Sequence, residues 1–453
     1  MSSNASVLSR WTLTAYGLPA FAFAMLLLPP YVLLPVFYSQ TIGLPLHLVG
    51  YVVVACRIFD AVTDPVIGFL SDRTRSSFGR RRIWIAAAVP FTVFTVLMLF
   101  VPPEQTDITW FAIGMAGLTL AWTMLLLPYS AWGAELSTDY NTRTTIVGVR
   151  EGLGLAGTLV IVSIPAAMTA YGVVDPRAHM NAVGYTIVAA IVITVAIALM
   201  NVPDEGQPAP RGQGPTFRFR EILANRPFMR LLSAYLVNSL ANSLPATLFI
   251  LFVGHVLGLP DMYGPLLLAY FLSAMIAIPV WLLVARAIGK HRTWCTSMIV
   301  ASVIFSLTPF VVQPGELYPF LIITILTGIA AGADFAIPSS MQADVIDLDT
   351  LTTGQNRAGI FFAIWGVVTK MSFALAALSF PLLEAQGFNA SALDAAGKSG
   401  NSPEALMLLT ALYAMVPVGL KAVALFLVWS FPLGRAEQAE IRRQIEAQQA
   451  GSA

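Results

Sequence analysis

Apolar residues run through this chain in stretches of about twenty, the length a helix needs to cross the hydrocarbon layer of a bilayer, and polar residues gather in the short gaps between them. The stretches fall at 12–39, 46–70, 83–102, 109–133, 146–171 and 181–202, and again at 231–256, 264–287, 294–313, 317–340, 357–383 and 405–432. Between the two sets, residues 203–230 carry Pro203, Pro208, Pro210, Pro215 and Pro227 with Arg218 and Arg220. Such a segment cannot lie in lipid, where every backbone polar group must be satisfied internally. The pattern predicts an all-α membrane protein with 12 transmembrane helices in two six-helix bundles, 1–202 and 231–432. A cytoplasmic linker, 203–230, joins them, and a cytoplasmic tail, 433–453, follows. Pro29, Pro30 and Pro35 predict a bend in the first span.

Composition agrees with spans that face lipid. The chain is 57% hydrophobic and 11% charged, against roughly 25% charged in a soluble protein. Nineteen Lys and Arg residues occupy the N-terminus, the even-numbered loops, the linker, the start of the eleventh span and the tail, whereas the odd-numbered loops hold Arg177 and Lys398. Basic residues mark the cytoplasmic side, so both termini are expected there. A net charge of +1 leaves no electrostatic footprint for nucleic acid. Cys56 and Cys295 lie in different halves and make no disulfide framework. The N-terminal segment reads as a retained first helix, not as a cleaved signal peptide. His47, His179, His255 and His291 are scattered, and neither H-E-x-x-H nor G-x-S-x-G occurs. No enzyme activity and no cofactor are expected.

The informative residues are the ionisable ones inside the spans. A charged side chain at mid-bilayer costs roughly 2.5 to 3.5 kcal/mol on insertion scales, and such residues mark ion or substrate pathways. Arg57, Asp60 and Asp64 stand three and four residues apart, on one face of the second span. Two neighbouring carboxylates resist joint ionisation in a low-dielectric site unless a cation or a proton sits with them. Oxygen ligands suit a hard ion such as Na⁺, and a shared proton would suit H⁺. A structural alternative is that Arg57 simply neutralises Asp60 and leaves Asp64 at a helix end before Pro65. The fifth span opens with Arg150 and Glu151, then Gly152, Gly154 and Gly157. Small residues of this kind let helices approach closely, while Arg150 either points into the bundle or snorkels to the cytoplasmic interface. Lys370 stands about 20 Å along the eleventh span from Arg357 at 1.5 Å per residue, too deep to snorkel, and calls for a carboxylate such as Asp60 or Asp64. Asp334 and Lys421 also lie in apolar surroundings and rank below Lys370, with a structural pairing open to both.

The run Arg57-Ile58-Phe59-Asp60-Ala61-Val62-Thr63-Asp64-Pro65-Val66-Ile67-Gly68, continued by Ser71-Asp72-Arg73-Thr74-Arg75 and Gly79-Arg80-Arg81-Arg82, resembles the signature of the glycoside-pentoside-hexuronide:cation symporters. These are the melibiose permease-like members of the major facilitator superfamily. Pro128-Tyr129-Ser130-Ala131 with Glu135, Arg143-Thr144, Asn238-Ser239-Leu240-Ala241-Asn242 and Ala343-Asp344-Val345-Ile346-Asp347, leading to Gly354, Arg357 and Lys370, agree with it. The resemblance implies the major facilitator fold, rocking alternating access, and symport of a small organic solute, a sugar or glycoside, with Na⁺ or H⁺. It assigns Asp60, Asp64 and Lys370 to cation binding and coupling, Asp60 and Asp64 being the Na⁺ ligands if sodium drives transport. Arg150, Tyr129 and Lys370 fall to the solute. Asp72, Arg73, Arg75, Arg80 and Arg81 fall to a cytoplasmic gate, with an acidic loop of Asp344, Asp347 and Asp349 as its opposite-sign partner. A monomer in a bacterial inner membrane is the matching expectation.

Two acidic positions of the sugar-transporting relatives are apolar here. The first-span region Gly17-Leu18-Pro19-Ala20-Phe21-Ala22-Phe23 has no charge, and the position two residues before the fourth-span proline is Leu126. Ser130 replaces a tryptophan. A hydroxyl-rich solute without carboxylate acceptors would leave its polar groups unpaired. The related sodium-dependent lysophospholipid transporters keep the second-span carboxylates, the fifth-span arginine and the eleventh-span lysine. An amphipathic or anionic solute such as a lysophospholipid is therefore the alternative expectation.

Overall fold

The computed structural model describes residues 9–74, 76–136, 140–203, 222, 224–353, 358–394, 397–434, 437, 438, 440, 441, 443 and 444. Among them twelve segments are long and apolar enough to cross a membrane. The first span is two helices, α1 (Arg10–Met25) and α2 (Pro29–Gln40). The ladder breaks over 26–28 because Pro29 and Pro30 supply no N–H to the preceding turn. Single helices follow: α3 (Leu46–Arg73), α4 (Arg82–Phe100), α5 (Ile108–Glu135), α6 (Tyr140–Ala170) and α7 (Pro176–Asn201). Asp175 caps α7 by accepting from the Arg177 and Ala178 N–H groups at 3.1 and 3.2 Å. The helix thus starts five residues before its apolar stretch, in a polar first turn that hydropathy passes over.

The second half contains α8 (Arg226–Leu251), extended by a π turn over Phe252–Val256, then α9 (Tyr263–Ile288), α10 (Lys290–Val311) and α11 (Leu317–Thr353). It ends with α12 (Ala358–Ala377), α13 (Ser379–Ala385), α14 (Pro403–Thr410), a second π turn over Ala411–Met415, and α15 (Val416–Val428). One expectation is corrected here. Asp344, Asp347 and Asp349 are on the last turns of α11 and not in a loop. The proline at 338 is absorbed inside the helix, and no glycine or proline interrupts the stretch from there to Thr353.

The chain divides into two compact units. Unit 1 is Met1–Ala209 with Phe380–Glu384 and Asn389–Ala392, and unit 2 is Pro210–Ser379 with Ala385–Phe388 and Leu393–Ala453. In unit 1, α1 packs on α6 and α7, α5 on α3 and α4, and α4 on α7; in unit 2, α8 packs on α12 and α15, α11 on α9 and α10, and α10 on α15. Counted by span, the same five pairings occur in both units, the mark of an internal structural repeat.

Glycine sets the closest of these approaches. Lipid supplies no hydrophobic drive to join helices, so backbone proximity and van der Waals contact do much of that task. A Cβ at Gly157 of α6 would overlap the Phe21 carbonyl oxygen of α1, and one at Gly332 of α11 would stand 2.5 Å from the Ala274 carbonyl oxygen of α9. Gly148, also on α6, has open space where its Cβ would be. Gly157→Val is expected to destabilise the protein by about 1 to 3 kcal/mol through overpacking, read as a lower melting temperature in detergent. Gly148→Ala should leave that temperature nearly unchanged; equal effects at both positions would remove the close-approach argument.

Candidate functional site

Helix α3 carries Arg57, Asp60 and Asp64 at the spacing that puts them on one face. Asp60 is only 1% exposed. The Arg57 guanidinium donates to Asp60 Oδ2 at 2.9 Å and lies 3.9 Å over the ring of Tyr31 on α2. The residue that the sequence reading missed is Thr123, midway along α5. Its hydroxyl stands 3.2 Å from Asp60 Oδ1 and 2.9 Å from Asp64 Oδ1. One hydroxyl has one proton and can donate to one carboxylate at a time. The cluster therefore gathers two carboxylates and a hydroxyl from two helices, with a guanidinium on the far oxygen of Asp60. Carboxylate and hydroxyl oxygens meet here in the kind of donor set that a hard cation takes.

Unit 1 places Arg150 on α6. Its guanidinium donates to Glu151 Oε1 at 2.7 and 3.2 Å and lies beside the Tyr16 phenol of α1. The Tyr129 hydroxyl donates to the Tyr16 carbonyl at 2.7 Å, and the Tyr16 hydroxyl donates to the Tyr129 carbonyl at 3.1 Å. The two rings stack at 4.7 Å, with Phe23 edge-on to Tyr129 at 5.1 Å. The paired bonds and stacked rings pin α5 to α1 at Tyr129. Lys370 is half-buried on α12 of unit 2.

The sequence profile of the family described as MFS/sugar transport protein matches residues 15–435, nearly the whole of the twelve-span region. The chain belongs to that family. It is 26% identical to the uncharacterized symporter sll1374 of Synechocystis sp., over 91% of this chain and 92% of that protein. It is also 26% identical to the human sodium-dependent lysophosphatidylcholine symporter 1, over 86% of this chain and 77% of the other. Among solved structures, a point mutant of the nucleoside transporter NupG aligns with a TM-score of 0.68 at 12% identity, covering 94% of this chain and all of that one. That likeness concerns the fold. This MFS protein is thus a multi-pass membrane transporter, not an enzyme, and its relatives are symporters.

The arginine-rich segment after α3 is tied down locally in the MFS protein. Arg73 lies 3.8 Å over Phe69, and Arg81, almost fully buried, donates to Ser71 Oγ at 3.0 Å. Arg82 donates to the Leu199 carbonyl at the end of α7 and covers Phe78. Arg80 is half-buried, while Arg75 and the Asp72 side chain lie outside the described residues. In unit 2, Asp344 receives both carboxylate contacts from Lys290 Nζ at 2.7 Å and a further bond from Gln438. Asp347 is half-buried and Asp349 buried.

Asp334 and Lys421 form a second polar cluster inside unit 2. Asp334 Oδ1 accepts from Asn238 at 3.0 Å and from Trp294 at 2.6 Å, and Oδ2 accepts from Asn242 at 3.0 Å. Lys421, 2% exposed, donates to the Asn238 and Asn242 side-chain oxygens at 3.0 and 2.8 Å and stands 3.7 Å from Asp334 Oδ2. The ring of contacts ties α8, α10, α11 and α15 and has no net formal charge. Removing one partner of a buried pair strands the other, at a cost of about 3 to 5 kcal/mol. Asp334→Asn or Lys421→Met alone should therefore lower the melting temperature sharply, and the joint variant should recover much of the loss. Additive losses in the joint variant would show that the two charges do not answer each other.

Proposed function

We propose that this protein is a sodium-coupled symporter of the glycoside-pentoside-hexuronide:cation type whose solute is amphipathic with a charged headgroup, as in a lysophospholipid. The observation that carries the coupling is the meeting of Asp60, Asp64 and Thr123 oxygens in a membrane span, with Arg57 on the far oxygen of Asp60. Two carboxylates and a hydroxyl are hard oxygen donors of the kind that suits Na⁺. A proton would need one carboxylate only; a hydroxyl oxygen placed beside both carboxylates favours a metal cation. The guanidinium of Arg57 answers the far oxygen of Asp60, and the incoming ion would then join Asp64, Thr123 and the near oxygen of Asp60. Lys370 would respond to occupancy of that site, and Arg73, Arg80 and Arg81 with Asp344 and Asp347 would serve the cytoplasmic gate. A monomer in a bacterial inner membrane remains the simplest assembly.

For the solute, the similarity to the human sodium-dependent lysophosphatidylcholine symporter supports an amphipathic molecule. So does the chain itself, whose sugar-site positions in Gly17–Phe23 and at Leu126 carry no carboxylate. A sugar remains the competing reading because the family's own description includes sugar transport.

The test is uptake into proteoliposomes under an imposed Na⁺ gradient, with an imposed pH gradient as comparison. Asp64→Asn should abolish gradient-driven accumulation while the protein inserts and purifies normally. Thr123→Ala should raise the Na⁺ concentration for half-maximal uptake about tenfold, the equivalent of about 1.4 kcal/mol, and Thr123→Ser should restore it. Accumulation that persists in Asp64→Asn, or that follows pH and ignores Na⁺, would refute sodium coupling at this site.

A further inference from the structure

Glu151 has no place in the coupling scheme, yet it is a carboxylate in a membrane span with its side chain 66% exposed. It stands directly after Arg150, in the first turn of the apolar span Gly148–Ala170 of α6. Both Arg150 contacts, at 2.7 and 3.2 Å, reach the same oxygen, Oε1. Arg150 is 29% exposed and turns toward Glu151 and the Tyr16 phenol. A guanidinium serving only to reach the lipid headgroups would extend along the helix toward water. The surface beside the pair is bare. Gly148, one turn before Glu151 on the same face, and Gly152, its neighbour, each have nothing within 4 Å of where a Cβ would be.

An exposed, paired charge beside open backbone is built to exchange partners. A headgroup carrying only negative charge that docks on Arg150 must also face the Glu151 carboxylate beside it, with no counter-charge to offer. A dipolar headgroup pays no such penalty: its anion takes Arg150, its cation takes Glu151, and one internal pair becomes two. Discrimination of this kind works through the repulsive element as much as the attractive one. We propose that Glu151 sets headgroup selectivity, so that this face of α6 binds zwitterionic headgroups, phosphate to Arg150 and ammonium to Glu151, and rejects purely anionic ones. The inference rests on the amphipathic-solute reading and sharpens it.

The test uses the full-length protein in lipid nanodiscs at saturating Na⁺, with radiolabelled lysophosphatidylcholine as the probe. Unlabelled lysophosphatidylcholine, lysophosphatidylglycerol and the chain-free headgroup glycerophosphocholine serve as competitors. The wild type should prefer lysophosphatidylcholine over lysophosphatidylglycerol. Glu151→Gln should reduce that preference at least tenfold by weakening the first and strengthening the second, and Glu151→Asp should keep the order. Thermal stabilisation by Na⁺, equal in the wild type and both variants, reports an intact fold and ion site. Competition by glycerophosphocholine as strong as by lysophosphatidylcholine would support the dipolar dock while assigning it to a free headgroup. A preference unchanged in Glu151→Gln overturns the selectivity role and leaves the solute class standing. A wild type that binds neither lysolipid overturns both.

Discussion

A carboxylate within a membrane must have its charge answered within a few ångströms, and at Asp60 that demand organises the first unit. Desolvation at mid-bilayer is costly enough that an unpartnered Asp would neutralise itself or leave the span. Here Arg57 answers it from one turn earlier, held flat by the Tyr31 ring. Tyr31 is in position because α2 restarts at Pro29 after the broken turn. The other oxygen is met from α5 by Thr123. One ionic contact thus links the proline break of the first span, the helical register of the second and a hydroxyl of the fourth. Thr123 also meets Asp64, so one hydroxyl joins the two carboxylates of α3.

How much of this was legible in the sequence depends on how local each interaction is. The twelve spans and the carboxylate face of α3 could be read directly, because hydropathy and a spacing of three and four are properties of a single helix. Thr123 could not be found, since it meets Asp60 and Asp64 across 63 and 59 residues. Nor does a threonine in a span signal anything by itself, because most in this chain bond a carbonyl one turn back, as Thr92 and Thr324 do. The pairing of Tyr129 with Tyr16, in which each hydroxyl bonds the other's carbonyl, spans 113 residues and is equally invisible in the sequence. The acidic stretch at Asp344 was read as a loop on hydropathy, which cannot distinguish a loop from a helix that leaves the bilayer and continues in water. Its partner Lys290, at the first residue of α10, explains why it continues.

Asp334 and Lys421 sharpen the meaning of the first cluster by contrast. The two units repeat the same helix pairings, and each buries a carboxylate with a cation, but they close their networks differently. In unit 2 the lysine, two asparagine amides and an indole meet both Asp334 oxygens, and the charges cancel. Such a node rigidifies a bundle, because every member is satisfied only in one arrangement. In unit 1 the guanidinium of Arg57 holds one oxygen of Asp60, and the Thr123 hydroxyl stands between Asp60 and Asp64.

An ion-coupled transporter requires that difference. A balanced network has nothing to gain from a cation and so cannot make conformational preference depend on one, whereas a ligand shifts an equilibrium by its differential affinity for the two states. Two carboxylates that share one hydroxyl offer such a differential, because they are better tolerated together when an ion is present. On this view the Arg57 guanidinium is as necessary as the aspartates. Without it the far oxygen of Asp60 would lose its donor, and an incoming ion would have that charge to answer as well.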